Sequence, residues 1–201
     1  MDPLRVALQS YEPHDAAEAR DVARVQASLD TGDPWLRDRP LHLTASALVL
    51  DPASRRVLLR WHARLGSWMQ VGGHGDPGET DPWAIALREA AEETGLTDLW
   101  ALTPALERRP VQVVVVPVPA GRGESAHEHA DVRYLLATGD PGSARAESAD
   151  AAIRWFTLAE ARGEVTEANL LEFLDRAEAA LVAGGSTSSS MRPAIQPVDQ
   201  E

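Results

Sequence analysis

The chain has 201 residues, of which 44% are hydrophobic and 25% charged, and its formal net charge at pH 7 is −12. That is the composition of one globular domain with appendages, and the acidic balance argues against a broad nucleic-acid surface, because duplex binding relies on basic side chains neutralising phosphates. There is no cysteine, which excludes disulfides, thiolate metal sites and cysteine nucleophiles together.

Lysine is absent too, so all basic residues are arginines, which reads as a compositional bias. No run of about eighteen apolar residues occurs. The start Met1-Asp2-Pro3-Leu4-Arg5 lacks the basic end and apolar stretch of a signal peptide, so no membrane partner and a cytoplasmic location are expected. Residues 1–39 read as an N-terminal helical extension: His14-Asp15 can start a helix in which Val22, Val25 and Leu29 form a modest stripe, and Thr31-Gly32-Asp33-Pro34 ends it. Residues 40–183 read as the main domain. His42 to Leu50 and Arg56 to Trp61 form a hairpin about the turn at Asp51-Pro52-Ala53-Ser54, and a short strand near Trp68 to Val71 leads into a glycine-rich loop. Further on, Val111 to Val118 is an apolar run whose four valines at 113–116 predict a strand buried on both faces. Strands over His129 to Ala137 and Ile153 to Phe156 follow, the former with Val132, Tyr134 and Leu136 on one side, and a closing helix spans Thr166 to Val182. Residues 184–201 have linker composition and are expected to form a flexible tail.

The informative stretch lies between the third and fourth of these strands. It reads Gly73-His74-Gly75-Asp76-Pro77-Gly78-Glu79, then Arg88-Glu89-Ala90-Ala91-Glu92-Glu93-Thr94-Gly95-Leu96. A helix from Pro82 to Thr94 is expected, with Asp81 as its cap, Pro82 at its first position and Gly95 in the left-handed conformation at its end. On it Glu89, Glu92 and Glu93 stand at i, i+3 and i+4 and share one face within a turn. Like charges stacked this way repel, and a hard divalent cation among them supplies the missing positive charge.

The stretch resembles the box of the Nudix hydrolase family: a glycine, five residues, a glutamate, then Arg-Glu-apolar-x-Glu-Glu-x-Gly-apolar. Every named position is matched. The departure is spacing: eight residues, Thr80 to Leu87, separate Glu79 from Arg88 where the family pattern has seven, which bears on how Glu79 reaches Arg88. The resemblance implies an α/β fold, the Nudix α/β/α sandwich with a mixed β-sheet. It also implies magnesium or manganese held by Glu89, Glu92 and Glu93, with the Gly73 carbonyl as a further ligand. Catalytic roles fall on Glu89, as the group assisting deprotonation of water, on Arg88, which orients its neighbours, and on Glu92. The partner it implies is a small-molecule nucleoside diphosphate linked to another moiety, cleaved at the diphosphate by metal-activated water. Non-catalytic nucleotide-binding modules and isopentenyl diphosphate isomerases share the fold, but the former usually erode the box and the latter need a cysteine.

A second constellation is His127-Glu128-His129-Ala130-Asp131-Val132-Arg133, which in an extended strand puts His127, His129, Asp131 and Arg133 on one side. Together with Glu79 and His74, residues His129, Asp131 and Arg133 are the candidate substrate contacts. The extension and the closing helix offer apolar faces for a homodimer.

Overall fold

A computed structural model describes residues 2–121, 123 and 125–185. Most of the expected tail, and Arg122, lie outside these residues. Two helices come first. In α1 (Pro3–Gln9), which the sequence reading passes over, the Asp2 carboxylate accepts from the Leu4 and Arg5 N–H groups and Pro3 opens the first turn. In α2 (Ala16–Leu29), Asp15 caps in the same way. Leu4, Leu8, Val22 and Val25 are buried, so both helices pack onto the main body.

The sheet begins with β1 (Leu41–Asp51) and β2 (Arg56–His62), an antiparallel hairpin in which Val49 faces Leu58. The expected single strand over 68–71 is divided at Gln70. β3 (Ser67–Met69) continues along β2, whereas β4 (Val71–Gly73) crosses to pair with β1, setting Gly73 against Ala45. After α3 (Pro82–Thr94) and the two-residue β5 (Trp100–Ala101) come β6 (Gln112–Val118) and β7 (His127–Ala137), paired antiparallel. β7 runs parallel to β1 with His42 opposite His129, and the other strand pairs among the described residues are antiparallel, so the sheet is mixed. β8 (Ile153–Thr157) lies against β2 and is followed by α4 (Leu158–Glu164), opened by a capping box between Thr157 and Glu160, and by α5 (Ala168–Gly185).

Side-chain alternation divides the apolar interior into two layers. Leu43, Ala45, Ala47, Val132, Tyr134 and Leu136 face α1, α2 and α3, while Leu48, Leu50, Leu59, Leu135 and Phe156 face α4 and α5. The result is an α/β/α sandwich. Ala86 and Ala90 are one turn apart on α3 and sit in the same cluster as Ala45 and Ala47. These short side chains let α3 lie close to β1 and β4, which carries its glutamates to the glycine-rich strand.

One expectation is corrected. Of the valines at 113–116 only Val113 is fully buried, and the others are partly exposed. β6 pairs with β7 on one side; on the other, the Val115 N–H donates to the Asp21 carboxylate of α2, and Val116 to Val118 border a cleft. It is an edge strand, which a run of apolar residues does not reveal.

Candidate functional site

Arg88 organises the loop before α3. Its Nη2 donates to Glu79 Oε2 and to the His74 carbonyl, each at 2.9 Å, and its Nη1 donates to Glu89 Oε1 at 3.0 Å and Glu92 Oε2 at 2.9 Å. The extra residue between Glu79 and Arg88 therefore leaves their contact intact. The Arg88 hydrogen bond holds the Glu79 carboxyl below its usual range. Glu79, a candidate substrate contact on sequence grounds, is turned into this clamp and does not line the cleft.

The three glutamates of α3 have different surroundings. Glu92 is 55% exposed and paired with Arg88. Glu89 lies against the backbone of Gly73, so closely that a β-carbon added there would stand 2.7 Å from Glu89 Oε2. Burial pushes the Glu89 carboxyl up, and Arg88 opposes that shift. Glu93 is 8% exposed; its Oε2 accepts from the Gly72 N–H at 3.0 Å, and Arg60 Nε lies 3.2 Å from its Oε1 without hydrogen-bond alignment. Burial pushes Glu93 up to about 7, against the pull of Gly72 and Arg60 and with the help of the Glu89 charge. A buried carboxyl beside a second carboxyl, with a hard oxygen donor set and backbone approach through glycine, fits a divalent cation.

Glu93, Gly72 and Gly73 form part of the wall of a cleft of about 540 Å³ that is also lined by Thr44, Ser46, His74, His129, Asp131, Arg133 and Asn169. That volume suits a nucleotide-sized ligand. The floor is built by register: His42, Thr44 and Ser46 on β1 stand opposite His129, Asp131 and Arg133 on β7. Asp131 Oδ1 accepts from Thr44 Oγ1 (3.0 Å) and Ser46 Oγ (2.8 Å), and its Oδ2 accepts from Arg133 Nε at 2.7 Å. Arg133 also donates to Gln112 Oε1 at 3.0 Å and sits over the Phe173 ring. Both members of this pair are buried, 3% and 1% exposed, and both oxygens of Asp131 and the Nε and Nη1 of Arg133 are engaged within the protein.

Four imidazoles meet beside the cleft, and two of them, His74 and His129, line it. His42 Nε2 is 3.0 Å from His74 Nε2, and His127 Nε2 is 3.2 Å from His129 Nε2. Burial, then the neighbouring positive groups, push His74 down to about 3, and burial with His42 pushes His129 down to about 4.

Sequence reasoning brings the box residues together and places His129, Asp131 and Arg133 on one face, as the structure does. It passes over Thr44, Ser46 and Arg60. For the first two a signal was present, since His42, Thr44 and Ser46 alternate with Leu43, Ala45 and Ala47 along β1.

Residues 40–176 match the NUDIX domain family. Among solved structures, the chain is similar to a Caenorhabditis elegans Ap4A hydrolase in a binary complex, at 21% identity and a TM-score of 0.54, covering 71% of this chain and 98% of that one. It is also similar to a NUDIX-family hydrolase from Clostridium perfringens, at 22% identity, a TM-score of 0.53 and coverage of 71% and 97%. The dihydroneopterin triphosphate pyrophosphohydrolase of Escherichia coli gives 17% identity, a TM-score of 0.50 and coverage of 72% and 97%. Among curated protein sequences no match is found. The chain belongs to the Nudix family.

Proposed function

We propose that the protein is a magnesium- or manganese-dependent hydrolase that cleaves the diphosphate of a nucleoside diphosphate linked to another moiety. The observation that carries this reading is Glu93: a carboxyl 8% exposed, in the wall of a nucleotide-sized cleft, beside Glu89 and short of positive partners.

Glu93 and Glu89 hold the cation, with Glu92 and the Gly73 carbonyl at its margin. Bound there, magnesium or manganese supplies polarisation of the diphosphate and acidification of water. Arg88 fixes Glu89 through Oε1, which leaves Oε2 as the atom that takes the proton from the attacking water. Asp131 and Arg133 act on substrate indirectly, by holding the cleft floor, and His74 and His129 also line the cleft. Among the described residues no helix is long and apolar enough to cross a membrane. A cytoplasmic location belongs to this proposal, as does the division at residues 39 and 183.

The test is a panel of nucleoside triphosphates, ADP-ribose and dinucleoside polyphosphates, assayed with magnesium or manganese and with product identification, beside Glu93→Gln. Cation-dependent release of a nucleoside phosphate that Glu93→Gln abolishes supports the reading. No turnover of any compound, or unchanged turnover in the variant, overturns it, and tight binding without turnover points to a ligand-binding module.

A further inference from the structure

We propose that His42, His74 and His129 form a second metal site, for a borderline transition cation of the zinc class, at the wall of the same cleft. One ring nitrogen of each lies within 4.8 Å of the others. Three separate elements supply them: His42 comes from β1, His129 from β7, and His74 from the loop that follows β4.

The hydrogen bonds around the group are of the kind that prepare imidazoles as ligands. His42 Nδ1 is 2.9 Å from the Arg39 carbonyl and His127 Nδ1 is 2.8 Å from the Ser125 carbonyl. Since a carbonyl only accepts, each Nδ1 carries the proton and each Nε2 presents a lone pair toward the cluster. The 3.0 Å separation between the Nε2 atoms of His42 and His74 is close to the ~3.3 Å between neighbouring ligands of a tetrahedral ion with bonds of about 2.0–2.1 Å.

The donor chemistry separates this site from the first. Imidazole nitrogens suit zinc, cobalt or nickel, whereas magnesium prefers the oxygens of Glu89 and Glu93. His74 and His129 line the cleft, so a three-histidine ion there keeps a coordination position facing the space a phosphorylated ligand enters. His127, stacked on His42 and bonded to His129, stands behind as a fourth imidazole.

The test uses the full chain, stripped with chelator and loaded with cobalt(II) or zinc in excess magnesium, then dialysed against magnesium alone. The expected result is about one retained equivalent, an intense visible cobalt spectrum of tetrahedral type, and at least ~100-fold weaker retention in a His74→Gln, His129→Gln double variant. Glu93→Gln retains the ion. Loss of the ion from the wild-type chain, a weak octahedral cobalt spectrum, or loss in Glu93→Gln with retention in the histidine variant overturns the site. Should the double variant fail to fold, the wild-type spectrum decides alone, tetrahedral for and octahedral against. The readout is metal retention rather than turnover, so its failure leaves the hydrolase reading standing and the converse also holds.

Discussion

Two glutamates of this protein are almost equally buried and chemically opposite. Glu18 on α2 is 6% exposed and Glu93 on α3 is 8% exposed. Glu18 accepts from the Tyr11 hydroxyl, from the N–H groups of His14 and Val113, and from both terminal nitrogens of Arg176. Burial pushes its carboxyl up, but this shell outweighs burial and the net shift is downward. Glu93 has one backbone donor and a misaligned arginine, and burial wins. Burial therefore does not mark a functional carboxylate, whereas an incomplete shell of donors does. Glu18 ties the N-terminal helices to α5, whereas Glu93 is the carboxyl proposed to hold a cation.

The largest effect expected from this contrast is on turnover. Glu93→Gln should lower cation-dependent hydrolysis by ~100-fold or more, equivalent to about 2.7 kcal/mol or more of barrier, with little loss of melting temperature. Glu18→Ala should do the reverse. It leaves Arg176 and the Val113 N–H without their partner and should cost about 3 to 5 kcal/mol in denaturant unfolding, with the specific activity of the folded fraction kept. If Glu18→Ala proves neutral for stability, the contrast fails.

The two carboxyls should also give stability slopes of opposite sign with pH. Glu18 has a folded pKa below the ordinary 4.5, so its contribution is present above that value and is lost as pH falls through the folded one. Glu93 has a folded value of about 7 against 4.5, so in chelator the ionised form is penalised and stability falls as pH rises between them. The second effect amounts to roughly 3 kcal/mol at most. Unfolding measured in chelator at pH 5 and pH 7.5 should show Glu93→Gln removing that decline, and an unchanged profile would contradict the assignment.

Much of α3 was legible in sequence because its signals are local: a capping aspartate, a proline at the first turn, a glycine at the end and carboxylates at helical spacing. The short α1 and α4 were passed over although Asp2-Pro3 and the Thr157/Glu160 capping box mark their starts, because each offers too few residues for an apolar period. What local pattern cannot give is pairing between distant strands. The division at Gln70 follows from Gly72 and Gly73 crossing to β1, and the imidazole group follows from the parallel register that sets His42 opposite His129. Arg60 was hidden for the same reason, since its carboxylate neighbour lies on a helix packed from elsewhere.

The smallest predicted effects separate two adjacent glycines within the Glu93 region. Gly72 has φ +146, and a β-carbon on it would meet Ser46 Cα at 2.5 Å, so neither the backbone nor the β1 pairing can yield easily. Gly72→Ala should therefore destabilise the fold, by about 1 to 3 kcal/mol. Gly73 is different, because its added β-carbon meets the end of the Glu89 side chain, which can rotate away. Gly73→Ala should leave the melting temperature nearly unchanged while displacing Oε2 from where the proton is taken, lowering turnover by ~10-fold, or about 1.4 kcal/mol of barrier. A Gly73→Ala enzyme with full activity would remove Glu89 Oε2 from the mechanism and leave Glu93 as the carboxylate on which the cation site depends.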